Sequence, residues 1–150
     1  MRKFRLYPPV WFLAMLTLQW VLLRNIANPL DILPWIRVAG WGFVIGGTAV
    51  FITAAFSFRR HRTTILPFED STDKLIQSGI FRVSRNPIYL GEVIILTGTA
   101  LLTGQLSPWV AVLLFAGGID RNVIRWEEQA LQRRFGADFE AYCRKTRRWL

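Results

Sequence analysis

The chain has 150 residues, 52% hydrophobic and 14% aromatic, with mean hydropathy +0.27, which is less polar than a soluble domain of this length. Lysines and arginines number 19 against 10 acidic residues, a formal net charge of +9; in a soluble protein this would suggest nucleic acid, but beside long apolar runs it points to the cytoplasmic leaflet of a membrane and to no nucleic-acid partner. A single cysteine, Cys143, excludes an internal disulfide or thiolate cluster, and a single histidine, His61, excludes a multi-histidine metal site.

In chain order, four apolar segments read as membrane spans, at about residues 10–26, 36–58, 88–103 and 108–124. A helix needs roughly 20 apolar residues to cross the hydrocarbon core. The second segment is clear and the first adequate, while the third and fourth are short and the fourth is interrupted by Asp120 and Arg121. These last two are expected to form a hairpin whose cytoplasmic ends protrude or are shielded by protein, with a re-entrant segment as the alternative. Arg2, Lys3 and Arg5 before the first segment also fit a signal peptide, but Arg24-Asn25-Ile26 follows where a small-residue cleavage site would stand, so an uncleaved span is expected.

Cationic connectors alternate with nearly neutral ones. Arg59, Arg60, Arg62, Lys74, Arg82 and Arg85 fall between the second and third spans and Arg121, Arg125, Arg133, Arg134, Arg144, Lys145, Arg147 and Arg148 after the fourth, whereas the first connector carries only Asp31, with Arg24 and Arg37 near the adjoining span ends, and residues 104–107 carry no charge. The positive-inside bias then places both termini and the central loop in the cytoplasm, with Trp35 and Trp109 at the outer interface and Trp11, Trp126 and Trp149 at the inner one. The expected fold is an all-α, polytopic transmembrane bundle of about four spans, one domain over residues 1–150, ending in a cytoplasmic amphipathic helix. Gly42 and Gly46 form a small-xxx-small pair that serves either packing within the chain or a dimer seam; the oligomeric state stays open.

The loop at residues 59–86 is long for a plain connector. Residues 71–79 read as a short surface helix, with Ser71 as its cap and Gly79 in the left-handed position after it. Asn86-Pro87 reads as the start of the third span, with Asn at the N-cap and Pro at the first helical position. A helix N-terminus beside Arg85 offers amide donors and positive charge to an anionic group such as a carboxylate; a plain helix start with a surface arginine explains the same residues.

Glu127-Glu128 lies on the amphipathic continuation at residues 122–135, with Trp126, Leu131 and Phe135 on its apolar side. One glutamate can hold an ammonium group or ribose hydroxyls, or the two can form ordinary helical ion pairs, Glu128 with Arg125 or Glu127 with Arg134. Glu92 and Asp120 sit near the inner ends of the hairpin, where a carboxylate needs a partner; Arg121, Arg85 and Arg62 are the candidates.

Together these residues resemble a family. Thr64 with Pro67, Leu75, Ser78-Gly79, Phe81-Arg82, the run Ser84-Arg85-Asn86-Pro87-Ile88-Tyr89-Leu90-Gly91, Glu127-Glu128 with Leu131, Phe135-Gly136, Phe139, Tyr142 and Arg148-Trp149 are similar to the isoprenylcysteine carboxyl methyltransferase family, which belongs to a wider group with the phospholipid N-methyltransferases. The resemblance covers residues 61–150. It implies an integral membrane enzyme that uses S-adenosylmethionine, taking the cofactor from the cytosol and a lipophilic acceptor from the bilayer. By that resemblance Arg85, Asn86, Pro87, Tyr89 and Gly91 form part of the active-site wall, and Arg85 orients a carboxylate. Glu127 or Glu128 binds the cofactor's amino or ribose group, and Ser78, Gly79, Ile80 and Phe81 border its pocket, with Leu131 and Tyr142 closing it. Asn86 stands where the eukaryotic prenylcysteine enzymes carry histidine.

The expected chemistry is direct displacement of a methyl group from a sulfonium, in line and away from water. A carboxylate or thiolate acceptor needs no general base; an amine or neutral thiol does, and Glu92 or His61 is the candidate. The residues expected to be catalytic are Arg85, Asn86, Tyr89 and Glu92. No glycine fingerprint of a soluble nucleotide fold is present, and no serine–histidine arrangement or zinc-ligand set is visible. Alternative readings are an NADPH-dependent membrane reductase of related helical arrangement, or a non-catalytic bundle binding acidic lipids.

Overall fold

The computed structural model describes residues 8–30, 33–60 and 75–150. All of its regular elements are helical: α1 (Pro8–Asn25), α2 (Pro34–Arg60), a 3-10 turn (Gly79–Arg82), α3 (Pro87–Thr103), α4 (Trp109–Ile119), a π-helical turn (Asp120–Ile124), α5 (Arg125–Phe135) and α6 (Ala137–Lys145). Three of the helices begin on proline, whose fixed φ suits the first helical position and whose missing N–H has no partner there anyway. At the far end of α3, Gly104 takes the left-handed conformation at φ 61° and returns its N–H to the Leu101 carbonyl, which ends the helix and turns the chain into α4.

The core lies between α1, α3 and α4. Leu96 and Ala100 of α3 meet Val112, Phe115 and Ile119 of α4, with Tyr89 and Ile124 at one end and Trp11, Phe12, Met15 and Leu16 of α1 packed alongside. Gln19 is the polar pin of this interface. Its amide donates to the Leu96 and Pro108 carbonyls at 3.0 and 3.3 Å and its oxygen accepts from Thr99 at 2.8 Å. Such pairing lets a buried amide sit in an apolar interface without a desolvation penalty.

Helix α2 packs on α3 through glycines. A Cβ at Gly47 would lie 2.8 Å from the Gly91 carbonyl, and one at Gly98 would lie 2.8 Å from the Gly40 carbonyl. The two pairs stand one heptad apart on antiparallel helices, so the backbones touch over two turns. The predicted pair is different: a Cβ on Gly42 or Gly46 meets nothing within 4 Å. Packing within the chain therefore uses Gly40 and Gly47, because they lie on the opposite face of α2 from Gly42 and Gly46.

Much of the outer surface is apolar. Val38, Trp41, Ile45, Ile52 and Phe56 of α2, Leu13 and Trp20 of α1 and Leu113 and Leu114 of α4 are all exposed, far more than water tolerates in one belt. Helix α2 is long and apolar enough to cross a membrane, and α3 is a shorter apolar helix. Four full spans are not drawn by length alone, since α4 has 11 residues before its geometry changes.

The described end of the predicted surface helix at residues 71–79 is not helical. Leu75, Ile76 and Gln77 form an irregular segment in which Ile76 is buried, so burial of one side chain overrides local propensity. Gly79 does adopt positive φ, at 62°, but it opens the 3-10 turn rather than closing a helix. Ser71, His61, Arg62, Thr64 and Pro67 lie outside the described residues.

Candidate active site

The 3-10 turn and the start of α3 bring Ser84, Arg85 and Asn86 against the last residues of the chain. The Arg85 N–H donates to the Arg147 carbonyl at 3.0 Å. Ser84 Oγ donates to the Arg148 carbonyl at 3.2 Å, and Asn86 Nδ2 donates to the same carbonyl at 3.1 Å. Asn86 holds the N-cap position, but its side chain makes no cap hydrogen bond; the chain's own tail takes the amide instead. Pro87 follows, fully buried, as the first residue of α3.

Arg85 joins three elements. Its Nη1 donates to the Thr146 carbonyl at 2.7 Å and the Cys143 carbonyl at 3.4 Å, at the C-terminal end of α6, where a cation is favoured. Its Nη2 and Nε donate to Glu128 Oε1 on α5 at 2.7 and 3.2 Å. Arg148 reaches the same carboxylate from the other side, with Nη2 on Oε2 at 2.5 Å, and extends Nη1 to Asp120 at 3.2 Å. Asp120 in turn pairs with Arg125 at 3.4 Å. The expected partner of Glu128, Arg125, is thus bound to Asp120, and Glu128 pairs with residues 43 and 20 positions away.

The π-helical turn positions the two glutamates. Glu127 faces α3, where the Tyr89 hydroxyl donates to its Oε1 at 2.8 Å. A π turn widens the helix locally and is frequent at functional sites. Neighbours in sequence, the two carboxyls have opposite electrostatics. Burial pushes Glu127 up to about 7, with the Glu128 charge adding to the rise and the Tyr89 hydrogen bond opposing it. Burial also works to raise Glu128, but the hydrogen bonds from Arg148 and Arg85 and their charges outweigh it and hold the carboxyl below its ordinary value. The two adjacent acids therefore differ in proton affinity, Glu128 held as an anion and Glu127 shifted towards neutrality.

Glu92 lies one turn past Tyr89 on α3 and is 2% exposed. Its Oε2 has no hydrogen-bond partner among the described residues. The candidates Arg85 and Arg121 do not hydrogen-bond it: Arg85 is committed to Glu128 and the α6 carbonyls, and Arg121 is exposed.

A model of the phospholipid methyltransferase family matches residues 35–138. The chain belongs to that family. Membership implies methyltransferase activity, and the matched stretch holds α2, α3 and both glutamates. An uncharacterized protein of Haemophilus influenzae is 35% identical over 63 residues, which cover 42% of this chain and 100% of that one. No solved structure matches the chain.

Two hollows flank this cluster. One, of about 430 Å³, is lined by Arg125, Glu128, Gln129, Gln132, Phe139 and Arg148. The other, of about 710 Å³, is lined by Leu75, Ile76, Gln77, Ser78 and Arg82 on one side and by Tyr142, Lys145 and Thr146 on the other. Both volumes fall in the range of small-molecule sites. The residues expected to hold a cofactor are therefore divided: Ser78 lines the larger hollow and Glu128 the smaller, with Arg85 and the tail between them.

Other expected residues take structural positions. Phe81 is buried edge-on against Phe58 at 5.3 Å, and its carbonyl accepts from Tyr142 at 2.6 Å. Gly79 and Ile80 carry the turn that delivers it. Gly91 faces α2, where a Cβ would lie 2.8 Å from the Gly47 carbonyl, so its task in this fold is helix packing. Leu131 is half-buried on α5 one turn beyond Glu128. Burial pushes the Cys143 thiol up, with Arg85 opposing, which disfavours the reactive thiolate. Arg148, expected only as one of the C-terminal cations and, with Trp149, as part of the resemblance, takes a place in the site that no sequence reading assigned to it; Trp149 beside it packs on the core.

Proposed function

We propose that this phospholipid methyltransferase family member is an integral membrane enzyme that uses S-adenosylmethionine and methylates a lipophilic or small acceptor at the cytoplasmic face. The observation that carries the reading is the convergence of Arg85, Arg148, Glu128, Glu127 and Tyr89 where α3 meets α5. In this reading α1 to α4 are the four spans. Arg59, Arg60, Arg82, Arg85 and the C-terminal cations gather at the end with the site. The opposite end is closed through the Pro29–Gln105 bridge and the hydrogen bond from Leu30 N to the Gly104 carbonyl at 2.7 Å; among the described residues only Arg24 and Arg37 are charged there, and the cationic excess at the other end favours the cytoplasm for the site.

The donor set suits the cofactor. In the smaller hollow Glu128 offers carboxyl oxygens to an ammonium or ribose hydroxyls, Arg148 and Arg125 offer guanidinium to a carboxylate, and Phe139 offers a flat apolar face. Bound there, S-adenosylmethionine would supply an electrophilic methyl group. Arg85 fixes Glu128 and the end of α6 in one geometry, and α3 with its apolar neighbours keeps water from the inner end of the cleft. Orientation of this kind supplies several kcal/mol of catalysis in well-built sites.

Calorimetry on the full chain in lipid nanodiscs tests the reading. S-adenosylhomocysteine should bind, and Glu128→Ala should weaken that binding by at least about tenfold, about the loss of one charge-assisted hydrogen bond. A folded sample that binds NADPH but not S-adenosylhomocysteine would overturn it in favour of a reductase.

A further inference from the structure

Two buried side-chain oxygens lack a hydrogen-bond partner among the described residues, Gln105 Oε1 at the end of the bundle away from the site and Glu92 Oε2 on the site side of α3, and only the second belongs to an ionisable group. An ionisable residue within a membrane helix is costly and is kept where a ligand or a proton needs it. By contrast Gln19, also buried in the bundle, donates to two carbonyls and accepts from Thr99. Glu92 also sits on the same face of α3 as Tyr89, three residues on. The Tyr89 hydroxyl donates to Glu127 at 2.8 Å, at the edge of the cytoplasmic site. The carboxyl therefore stands at the inner, apolar end of a short polar line whose outer end is Glu127.

We propose that Glu92 accepts the proton that the methyl acceptor gives up during transfer. This rests on the methyltransferase reading above and adds a role and a requirement: the acceptor carries an X–H bond, as an amine or thiol does. In the step, the X–H bond breaks and its proton goes to a Glu92 carboxylate oxygen. The electron pair left on X forms the new bond to the methyl carbon, and the carbon–sulfur bond of the sulfonium donor breaks with its pair remaining on sulfur. One positive and one negative charge are consumed together, so a site with little water favours the products. The donor's own positive charge is the counter-charge that the carboxylate otherwise lacks. Tyr89 and Glu127 then lie between Glu92 and the cytosol, where the proton can leave.

Two ligands that differ in charge at the reacting position test this without turnover. S-adenosylhomocysteine is neutral at sulfur, and sinefungin carries a protonated amine in that region. In nanodiscs the 150-residue chain and Glu92→Gln are titrated with both by calorimetry, and single-turnover methyl transfer to vesicles of phosphatidylethanolamine and phosphatidylglycerol is followed with labelled S-adenosylmethionine. Glu92→Gln should bind S-adenosylhomocysteine as the parent does, lose about tenfold in its relative preference for sinefungin, and transfer methyl at least about 100-fold more slowly. Glu92→Asp, which keeps the charge, should keep the sinefungin preference. An unchanged preference overturns the placement of Glu92 at the reacting centre, whatever the rate does. An unchanged rate overturns the proton role, whatever the preference does. If the parent chain binds neither ligand, the methyltransferase reading itself fails and this one with it.

Discussion

Glu128 holds two guanidinium groups at once, so Glu128→Ala removes a shared anion rather than half of a simple pair. Its side chain is 16% exposed and that of Arg85 13%, which places their contact among buried ion pairs, where deleting one partner costs about 3–5 kcal/mol because a charge is stranded. Arg85 keeps the Thr146 and Cys143 carbonyls, which puts the loss at the lower end of that range. Arg148 is more exposed and keeps Asp120 at 3.2 Å, so its share is screened and adds less than ~1 kcal/mol. A total of about 3 kcal/mol should lower Tm by roughly 6–12 °C in a chain of this length. Tryptophan-fluorescence melting in detergent micelles reads that shift. A double-mutant cycle with Arg85→Ala should return a coupling of about 2 kcal/mol, since each side chain is the other's main partner. A Tm for Glu128→Ala within about 2 °C of the parent, or strictly additive effects in the cycle, would refute the claim that this network holds α3, α5 and the tail together.

The glutamates should also separate by pH. Glu127 titrates at about 7 in the fold against 4.5 when unfolded, so its contribution is fully present below about 4.5 and is lost as pH rises towards 7; melting curves of Glu127→Gln should gain on the parent across that window and run parallel above it. Glu128 is shifted the other way: its contribution is present above 4.5 and lost as pH falls further, so Glu128→Gln should show a shallower decline in acid. Tyr89→Phe removes the hydrogen bond that lowers Glu127 and should move the upper edge of its window above 7 while costing about 1 kcal/mol, both read from the same melting series. Gly47→Ala or Gly98→Ala should cost about 1–3 kcal/mol by forcing α2 from α3, whereas Gly42→Ala and Gly46→Ala should leave Tm nearly unchanged.

What the sequence made legible follows from local rules. The start of α3 is written in Asn86-Pro87, and the apolar runs match α1, α2 and α3 to within a few residues, while the fourth run covers α4 and the π-helical turn that follows it. Less legible were choices made by distant partners. Gly42-xxx-Gly46 satisfies the small-residue spacing better on paper than Gly40 and Gly47, yet the face that meets α3 is decided by where Gly91 and Gly98 fall on the opposing helix. Ile76 leaves helical geometry because a buried position is available to it. Glu128 has basic residues within reach on its own helix, but a preorganised guanidinium on each side, anchored by tail carbonyls, outcompetes flexible surface pairing.

Two adjacent glutamates stand in unlike surroundings. On a helix, consecutive residues point about 100° apart, so a pair can touch two environments at once. Here one direction leads to the cations of the tail and the other to the α3 wall, and the π-helical turn just before them sets how far each side chain is rotated. Their roles are therefore fixed by Arg148 and Tyr89, which lie outside the glutamate pair and on opposite sides of it. The tail that delivers Arg148 is held by Ser84, Arg85 and Asn86. A motif that reads in sequence as a ligand-binding wall thus acts first as the mount for the opposite wall: Asn86 fixes the Arg148 carbonyl, Arg148 fixes Glu128, and the hollow beside Glu128 exists because that chain of contacts is closed.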